Sequence, residues 1–470
     1  MTLKKKVRAK FVKHLGKQFR EDDTSLRVYS RDMSDLPSLT KIFFKNTPDA
    51  IILPKTVDEV QKLYELATEN KVAITPRSGG TTGFGGSVTY NKGIILDVKG
   101  LESETLIEPI DQSVTVSPSI IFSELQRYLK LNGFSLCSFP SSFYSATVGG
   151  WIAHGGYGIG SAKYGGALEQ ILSLEVVLPT GKLVEYTERE DIELYVGSNG
   201  TLGLITKIKL KIKFDIPLKH FACTFDSPQQ LVVGLKELSS VDPYAVWFFN
   251  PKHVEELNEA YGYTLPDRYL VILTKEISFE EEESEFHTLF NQAIRRAEGQ
   301  ILDKRYTANI FDIRFQTLSI LKNYKDFLIN EVILPVEKSG KYLQKLISSF
   351  NGLLHLEGEL IGDSHYALLM YLYFEEEQSQ LNKLLHNLKM YKNVVKGIKA
   401  NGYPYSTGLW YAGYYPAIYG KSQYKKYKDF KKVVDPKNIS NPGKVISPRF
   451  RIFPLIKLKT AFKIACRFVL

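Results

Sequence analysis

Backbone amides are the densest chemistry in this 470-residue sequence, which holds no cluster of nucleophiles. Five of its 34 glycines fall within residues 76–86, PRSGGTTGFGG, and eight more lie between 149 and 166, within FPSSFYSATVGGWIAHGGYGIGSAKYGG (139–166). Glycine admits positive φ and lacks the Cβ that would hold a ligand away. Successive N–H groups in such turns form concave anion sites suited to a pyrophosphate. Neither stretch is expected to be the interior of a helix or strand, because so much glycine costs about 1 kcal/mol per residue against alanine. Ordinary turn-rich loops are the competing reading of either cluster alone. Two clusters, each following a strand-like run, favour a bound ligand. His154 sits inside the second one. His355 and His365 are the other candidates for acid–base work, although isolated histidines more often serve structure.

The flanking segments must deliver these loops. AIILP (50–54) is a buried-strand signal, and residues 56–59 (TVDE) form a capping box for a helix with Val60, Leu63, Tyr64 and Ala67 inward. VAIT (72–75) is the next strand and runs straight into the first loop, at the strand end where ligands bind in α/β sheets. Strands at 94–98 and 114–117 follow. A helix with Leu125, Tyr128 and Leu129 inward then stops at Gly133. LEVVLPTGKLVEY (174–186) is expected to turn as a hairpin at Thr180 and Gly181. In 197–213, Ile208, Leu210 and Ile212 alternate with Lys207, Lys209, Lys211 and Lys213, a strand with one wet face. From about residue 216 strand and helix signals alternate without glycine clusters, which marks a separate α+β unit.

The net charge of +10 is concentrated at the two ends. Nucleic-acid binding is open on charge, but no matching motif accompanies it. Three distant cysteines give no disulfide framework or metal site, and a cytoplasmic setting is the expectation. No run of 18 apolar residues exists for a spanning helix. From Leu455 onward, Leu455, Leu458, Phe462, Ala465 and Val469 share one face, while Lys459, Lys463 and Arg467 share another. Such a basic amphipathic helix suits a membrane surface or a partner's groove; packing on its own body is the competing reading.

No GxGxxG stands in a proper βαβ context, which argues against a Rossmann NAD site. Instead, PDAIILPKTVDEV (48–60), PRSGGTTG (76–83), TVGGWIAHGGYG with KYGG and LEVVLPTG (147–181), and GTLGLIT (200–206) occur in order, with DPKNISNPGKV (435–445) closing. In these motifs the chain resembles FAD-linked oxidases of the vanillyl-alcohol oxidase / p-cresol methylhydroxylase superfamily, and among them the D-subunit of glycolate oxidase and flavin D-lactate dehydrogenases. The resemblance implies an α+β fold: a two-subdomain FAD-binding domain of p-cresol methylhydroxylase type with an α+β substrate cap. The implied divisions are a basic lead-in (1–44), the FAD-binding domain (45–215), the cap (216–400), a segment returning to the FAD domain (401–448) and the tail helix (449–470).

By the same resemblance Pro76, Arg77, Ser78, Gly79, Gly80, Thr81 and Thr82 would wrap the pyrophosphate. Ser142, Thr147, Gly149, Gly150, His154 and Gly158 would line the other side, Ile205 would meet the adenine, and Lys444 would approach the flavin ring, with a capped turn as its alternative. Covalently tethered relatives place His where Thr81 stands and Cys where Ser145 stands, so the FAD is expected to be non-covalent. No metal ion is expected. The implied reaction is oxidation of a small 2-hydroxy acid by hydride transfer to the flavin. His154 and His365 are the catalytic candidates, and Arg314 is the cation for the substrate carboxylate, with a surface ion pair as its competing reading. Tyr403, Tyr405, Tyr411, Tyr414 and Tyr415 would wall the site or form core. The segment 406–410 (STGLW) stands where flavin hydroxy-acid enzymes carry a GEHG-like histidine. Electrons would pass to an iron–sulfur subunit or a membrane quinone, with the protein peripheral on the inner face of the membrane. Alternatives are an alkyl-dihydroxyacetone-phosphate synthase, a sugar-alcohol or aldonolactone oxidase, and a flavin-binding subunit without its own catalysis.

Overall fold

The computed structural model describes residues 3–34, 39–40, 44–102, 104–303, 310–316, 320, 322–448 and 456–468. Short apolar runs separated by turns sort into three sheets. The first orders its four strands as Phe19–Arg20, Ala50–Ile52, Ile94–Asp97 and Ile74–Arg77. The last three are parallel and the first is an antiparallel edge. Helix Val57–Asn70 makes the crossover, burying Val60, Leu63, Tyr64, Leu66 and Ala67. Thr56 caps it by accepting the Glu59 N–H, but the Glu59 carboxylate takes the N–H of Lys55 rather than that of Thr56, so the expected box is only half closed. Strand Ile74–Arg77 ends where the first glycine loop begins.

The second sheet is antiparallel, with the order Thr105–Glu108, Ser113–Val116, Leu204–Phe214, Ile171–Val177, Leu183–Tyr186; Phe134–Leu136 joins the far end of Leu204–Phe214. The hairpin forms as expected, with Gly181 at φ 86°. Along Leu204–Phe214 the isoleucines and Leu210 are buried while Lys207 and Lys211 face solvent. Lys213 departs from this pattern: it is buried and paired with Glu276 at 2.6 Å, because the third sheet covers that end. Tyr128, expected inward on helix Phe122–Leu131, is exposed; Leu125, Gln126 and Leu129 fill that face instead.

The third sheet is the largest, eight antiparallel strands in the order Gln300–Ile301, Leu218–Phe225, Tyr269–Glu276, Ala245–Phe249, His355–Ile361, His365–Phe374, Asp326–Pro335, Tyr403–Pro404. Helices Pro228–Ser239, Glu280–Arg296, Gly340–Ser349 and Gln380–Gly397 contribute to the core on one of its faces. The chain beyond residue 400 therefore first adds an edge strand here. It returns to the first sheet only at Ile439–Asn441, where the Ile74 N–H donates to the Ile439 carbonyl and the Asn441 N–H to that of Ile74.

The tail helix Leu458–Ala465 packs on its own body. Leu458 and Phe462 are fully buried, Phe462 stacks on Trp410 at 5.2 Å, and Lys459 donates to the Gly413 carbonyl. The apolar face proposed for a membrane or partner is thus occupied by the core, because Trp410 and Tyr391 offer it a drier surface; Leu455 and Val469 lie outside the described residues. Among the described residues no helix is long and apolar enough to cross a membrane.

Candidate functional site

A cavity of about 390 Å³ lies between the two glycine stretches and one face of the third sheet. At its first edge the Arg77 side chain turns away, donating to the Arg31 carbonyl and lying 5.1 Å from the centre of the Tyr29 ring. The backbone then faces the cavity. From Ser78 to Gly83 no N–H group finds an acceptor among the described residues, and every residue of that run lines the cavity. These residues are half-buried to exposed, so their amides are open to water or to a ligand's acceptors rather than committed to the protein.

The second stretch closes on the first. The hydroxyls of Ser78 and Thr147 meet at 2.6 Å, and a Cβ on Gly79 would stand 2.7 Å from the Ser145 carbonyl oxygen. Part of the sparseness of these loops therefore serves their contact with each other, as well as contact with a ligand. Residues 148–154 also correct the expectation of a helix-free stretch. Thr147 Oγ1 accepts the Gly150 N–H and opens helix Val148–His154. Burial of Val148, Trp151 and Ile152 offsets the glycine cost. Gly149 is there because a Cβ would come within 2.5 Å of Pro118.

Every residue expected to hold the cofactor lines this cavity except Lys444. Its ammonium is fully buried and donates to the carbonyls of Gly85 at 2.7 Å and Val88 at 2.5 Å. It braces the end of the first loop from behind. Burial pushes it down to about 7, against the opposing pull of Asp32, whose own carboxyl burial raises. Lys444→Met is expected to leave two buried carbonyls unpaired, at about 1–3 kcal/mol each. The check is thermal unfolding with and without added FAD: a lower melting temperature and weaker flavin retention are expected together.

The opposite wall belongs to the third sheet. Side chains alternate across a strand, so Ile329 and Glu331, Glu357, Glu359 and Ile361, and Ala367, Leu369 and Tyr371 share one face, and all line the cavity. Register sets Glu331 and Glu357 on either side of Leu369, and Glu359 between Trp247 and Ala367. Tyr371 donates to Glu357 at 3.1 Å. Arg314 is buried above Trp247, its guanidinium 5.4 Å from the ring centre, and its Nη2 donates to Glu359. Its Nε and Nη1 have no acceptor among the described residues. Arg314 is therefore no surface ion pair.

Burial, then the charges of Glu357 and Glu359, raise the Glu331 carboxyl to about 8, with Arg314 opposing. Burial likewise raises Glu359 to about 7, Arg314 pulling down and Glu357 pushing up. His154 also lines the cavity, 5.4 Å from Phe84 and 5.3 Å from Tyr405 between ring centres. Burial pushes its imidazole down to about 4 against a hydrogen bond to the Asn199 side chain, so at neutral pH it is uncharged.

His365 lies elsewhere, at the start of its strand beside Ser364, and does not line the cavity; its register opposite Pro335 places it at the sheet end. His355 is buried one alternation beyond Glu357 and also stays off the lining. Of the tail tyrosines only Tyr405 reaches the cavity, its hydroxyl accepting the Tyr157 N–H; Tyr411, Tyr414 and Tyr415 are core. The three wall glutamates were not foreseen. Acids at alternate positions inside otherwise apolar strand text, HLEGEL (355–360) and NEVILP (330–335), were the available signal.

Residues 48–187 match the family model of the FAD binding domain. The chain carries an FAD-binding domain. Its cofactor is FAD, and both the first glycine loop and residues 147–158 of the second lie within the matched span. Across 94% of this chain and 96% of the other, the fold superposes on p-cresol methylhydroxylase with a TM-score of 0.79 at 17% identity. The fold is therefore that of p-cresol methylhydroxylase. Among curated relatives, glycolate oxidase subunit GlcD of Bacillus subtilis is 30% identical over 217 residues, 44% of this chain and 45% of that protein. Alkyldihydroxyacetonephosphate synthase of Dictyostelium discoideum is 27% identical over 50% of this chain and 41% of its own length. The match thus spans under half the length of these relatives.

Proposed function

We propose that the chain is an FAD-dependent oxidoreductase acting on a CH–OH carbon of a small molecule. The observation that carries this is one cavity shared by a row of free backbone amides and a wall of enclosed carboxyls. FAD, when bound, supplies the acceptor for the hydride leaving the carbinol carbon. The chain's own residues must then hold the substrate and take the hydroxyl proton, best with a pKa near the working pH. Glu331, open to the cavity and raised to about 8, is the base we assign. His154, too weakly basic for that task, positions the wall beside Tyr405 and Phe84.

The expected substrate, a small 2-hydroxy acid, is supported by the name of the glycolate oxidase relative and by the free Nε and Nη1 of Arg314. A sugar-alcohol substrate is the second reading, favoured by Glu331, whose carboxyl can accept from a substrate hydroxyl on the cavity wall. Electrons would pass to an iron–sulfur subunit or a quinone. The test is anaerobic bleaching of the bound flavin by alcohols of both classes. Bleaching by any of them supports the oxidoreductase. Reduction by dithionite but by no alcohol overturns it in favour of a non-redox synthase or a subunit without catalysis. Non-covalent attachment is part of the same proposal, since threonine and serine occupy the tethering positions 81 and 145. Acid precipitation is expected to leave the flavin colour in the supernatant, and a yellow pellet would contradict this.

A further inference from the structure

Beyond the cavity wall, the same face of the third sheet carries titratable side chains that the proposed reaction leaves unused. Side chains alternate along a strand, so His355 shares its face with Glu357, and Tyr373 shares its face with Tyr371. Helix Pro251–Tyr261 lies against strand His355–Ile361 and brings the fully buried His253 among them. The His253 ring stacks on Phe249 at 4.7 Å, and lies 5.8 Å from the Tyr371 ring and 6.0 Å from that of His355. His355 lies 4.5 Å from the Tyr373 ring, and Tyr373 stacks on Tyr324 at 4.9 Å. Tyr324, half-buried, donates to Glu256, between the exposed Glu255 and Glu259. The series therefore runs from Tyr371, which lines the cavity, to the outer surface of the helix.

Both ring nitrogens of His253, the Nδ1 of His355 and the Tyr373 hydroxyl are buried and meet no hydrogen-bond partner among the described residues. Buried polar atoms are nearly always paired, and a phenylalanine would fill the place beside Phe249 without that cost. Burial holds His355 down to about 4 and His253 well below its ordinary value, and holds Tyr371 and Tyr373 well above theirs. All four are thus uncharged at neutral pH. A neutral imidazole accepts a proton on one nitrogen while releasing one from the other, and a phenol does the same through its oxygen. Gaps of this size are spanned by a hydrogen bond or by one bridging water.

We propose that His253 and His355, with Tyr371 and Tyr373, form a proton conduit from the cavity wall to the surface at Glu256. The conduit rests on the proposed oxidation of a CH–OH carbon and supplies its proton exit. In that reaction the C–H bond breaks with its electron pair going to FAD as hydride. The O–H bond breaks with its proton going to Glu331, and the carbinol becomes a carbonyl. Glu331 must lose that proton before it can act again. The proton passes to Glu357, to which Tyr371 donates at 3.1 Å. Once Glu357 is protonated the roles reverse: it donates to the Tyr371 oxygen, and Tyr371 gives its own proton to His253. His253 releases one from its other nitrogen toward His355, and Tyr373 and Tyr324 carry it to Glu256. One proton enters, one leaves, and each relay group ends neutral. The histidines act through Glu331 and are positioning residues. The mouth of the cavity is the competing exit.

The test is stopped-flow mixing of the anaerobic holoenzyme with D-lactate or xylitol in weak buffer containing phenol red, so that flavin bleaching and proton release are read together. In the wild type the two are expected to coincide. In His253→Phe, and separately in His355→Phe, release is expected to lag bleaching at least about tenfold. Melting temperatures at or above that of the wild type are expected, since phenylalanine fills each space and leaves no polar atom unpaired. A purely structural role would lower the melting temperature and leave release in step with bleaching. That pattern overturns the conduit while the oxidoreductase stands. The wild type gives a second readout that no variant's folding affects. In mixtures of ordinary and heavy water its release rate is expected to fall along a curve, because several protons move together. A straight line means one proton leaving through the cavity mouth, and overturns the conduit. Bleaching by neither alcohol, with dithionite still effective, overturns the conduit together with the reaction it serves.

Discussion

Gly79→Val is expected to give a folded protein that purifies without flavin. A Cβ at position 79 would stand 2.7 Å from the Ser145 carbonyl oxygen, and backbone cannot swing aside as a flexible side-chain tip can. The two loops must therefore part. Parting breaks the 2.6 Å contact of Ser78 with Thr147 and displaces the free amides of 78–83 from the wall they face. Overpacking of this kind costs about 1–3 kcal/mol, which is about 5–140-fold in affinity at 1.4 kcal/mol per decade. Gly340→Ala, off the cavity lining, is the control, since the nearest atoms to its Cβ would lie at 3.3–3.5 Å. Flavin-to-protein ratio after dialysis and titration of added FAD make the comparison. Equal retention in both variants would remove the loop contact from the account of cofactor binding.

The same glycines show what the sequence could and could not reveal. Their density, and the strand that delivers the first cluster, were legible because φ > 0 and close approach leave a compositional mark. What each glycine approaches was not legible. Gly79 meets the second loop and Gly149 meets Pro118, so protein contacts account for much of a pattern that composition alone ascribes to a ligand. Helix Val148–His154 was hidden for a related reason: propensity argues against it, and burial of Trp151 and Ile152 decides it.

Histidine invites attention as the side chain with a neutral-range pKa, yet burial makes His154 a poor base and register puts His365 at a sheet end. Burial works in the opposite direction on acids. It brings Glu331 toward the working range, and only the three-strand register that joins 331, 357 and 359 exposes the fact. The tail helix was open between its own body and an outside surface, since amphipathicity states that a face will be covered without naming the cover, and its own core covers it.

Glu331→Gln should separate chemistry from stability in one substitution. In the wild type the carboxyl must be deprotonated to accept a proton, so flavin reduction is expected to rise with pH and level off above about 8. Groups that share its wall are Glu357 and Glu359 from strand His355–Ile361, one strand beyond its neighbour, Arg314 from helix Ile310–Gln316, and Tyr371 and Tyr405. The acids hold its pKa up and Arg314 opposes them. Glutamine fills the same space without a proton site, so reduction should fall by about 10²–10⁴-fold and lose that pH dependence. Stability should move the other way. A carboxyl raised above its unfolded value near 4.5 binds its proton more tightly in the folded state, so between about pH 4.5 and 8 its ionisation costs stability as pH rises. The variant escapes that cost. Its melting temperature relative to wild type is expected to be little changed near pH 4 and to gain steadily toward pH 8, by the equivalent of a few kcal/mol. A stability difference that does not vary with pH would mean that Glu331 is not held protonated by its surroundings. An unaltered reduction rate would place the base elsewhere on the wall, and Glu357, across Leu369, would then be the residue to test.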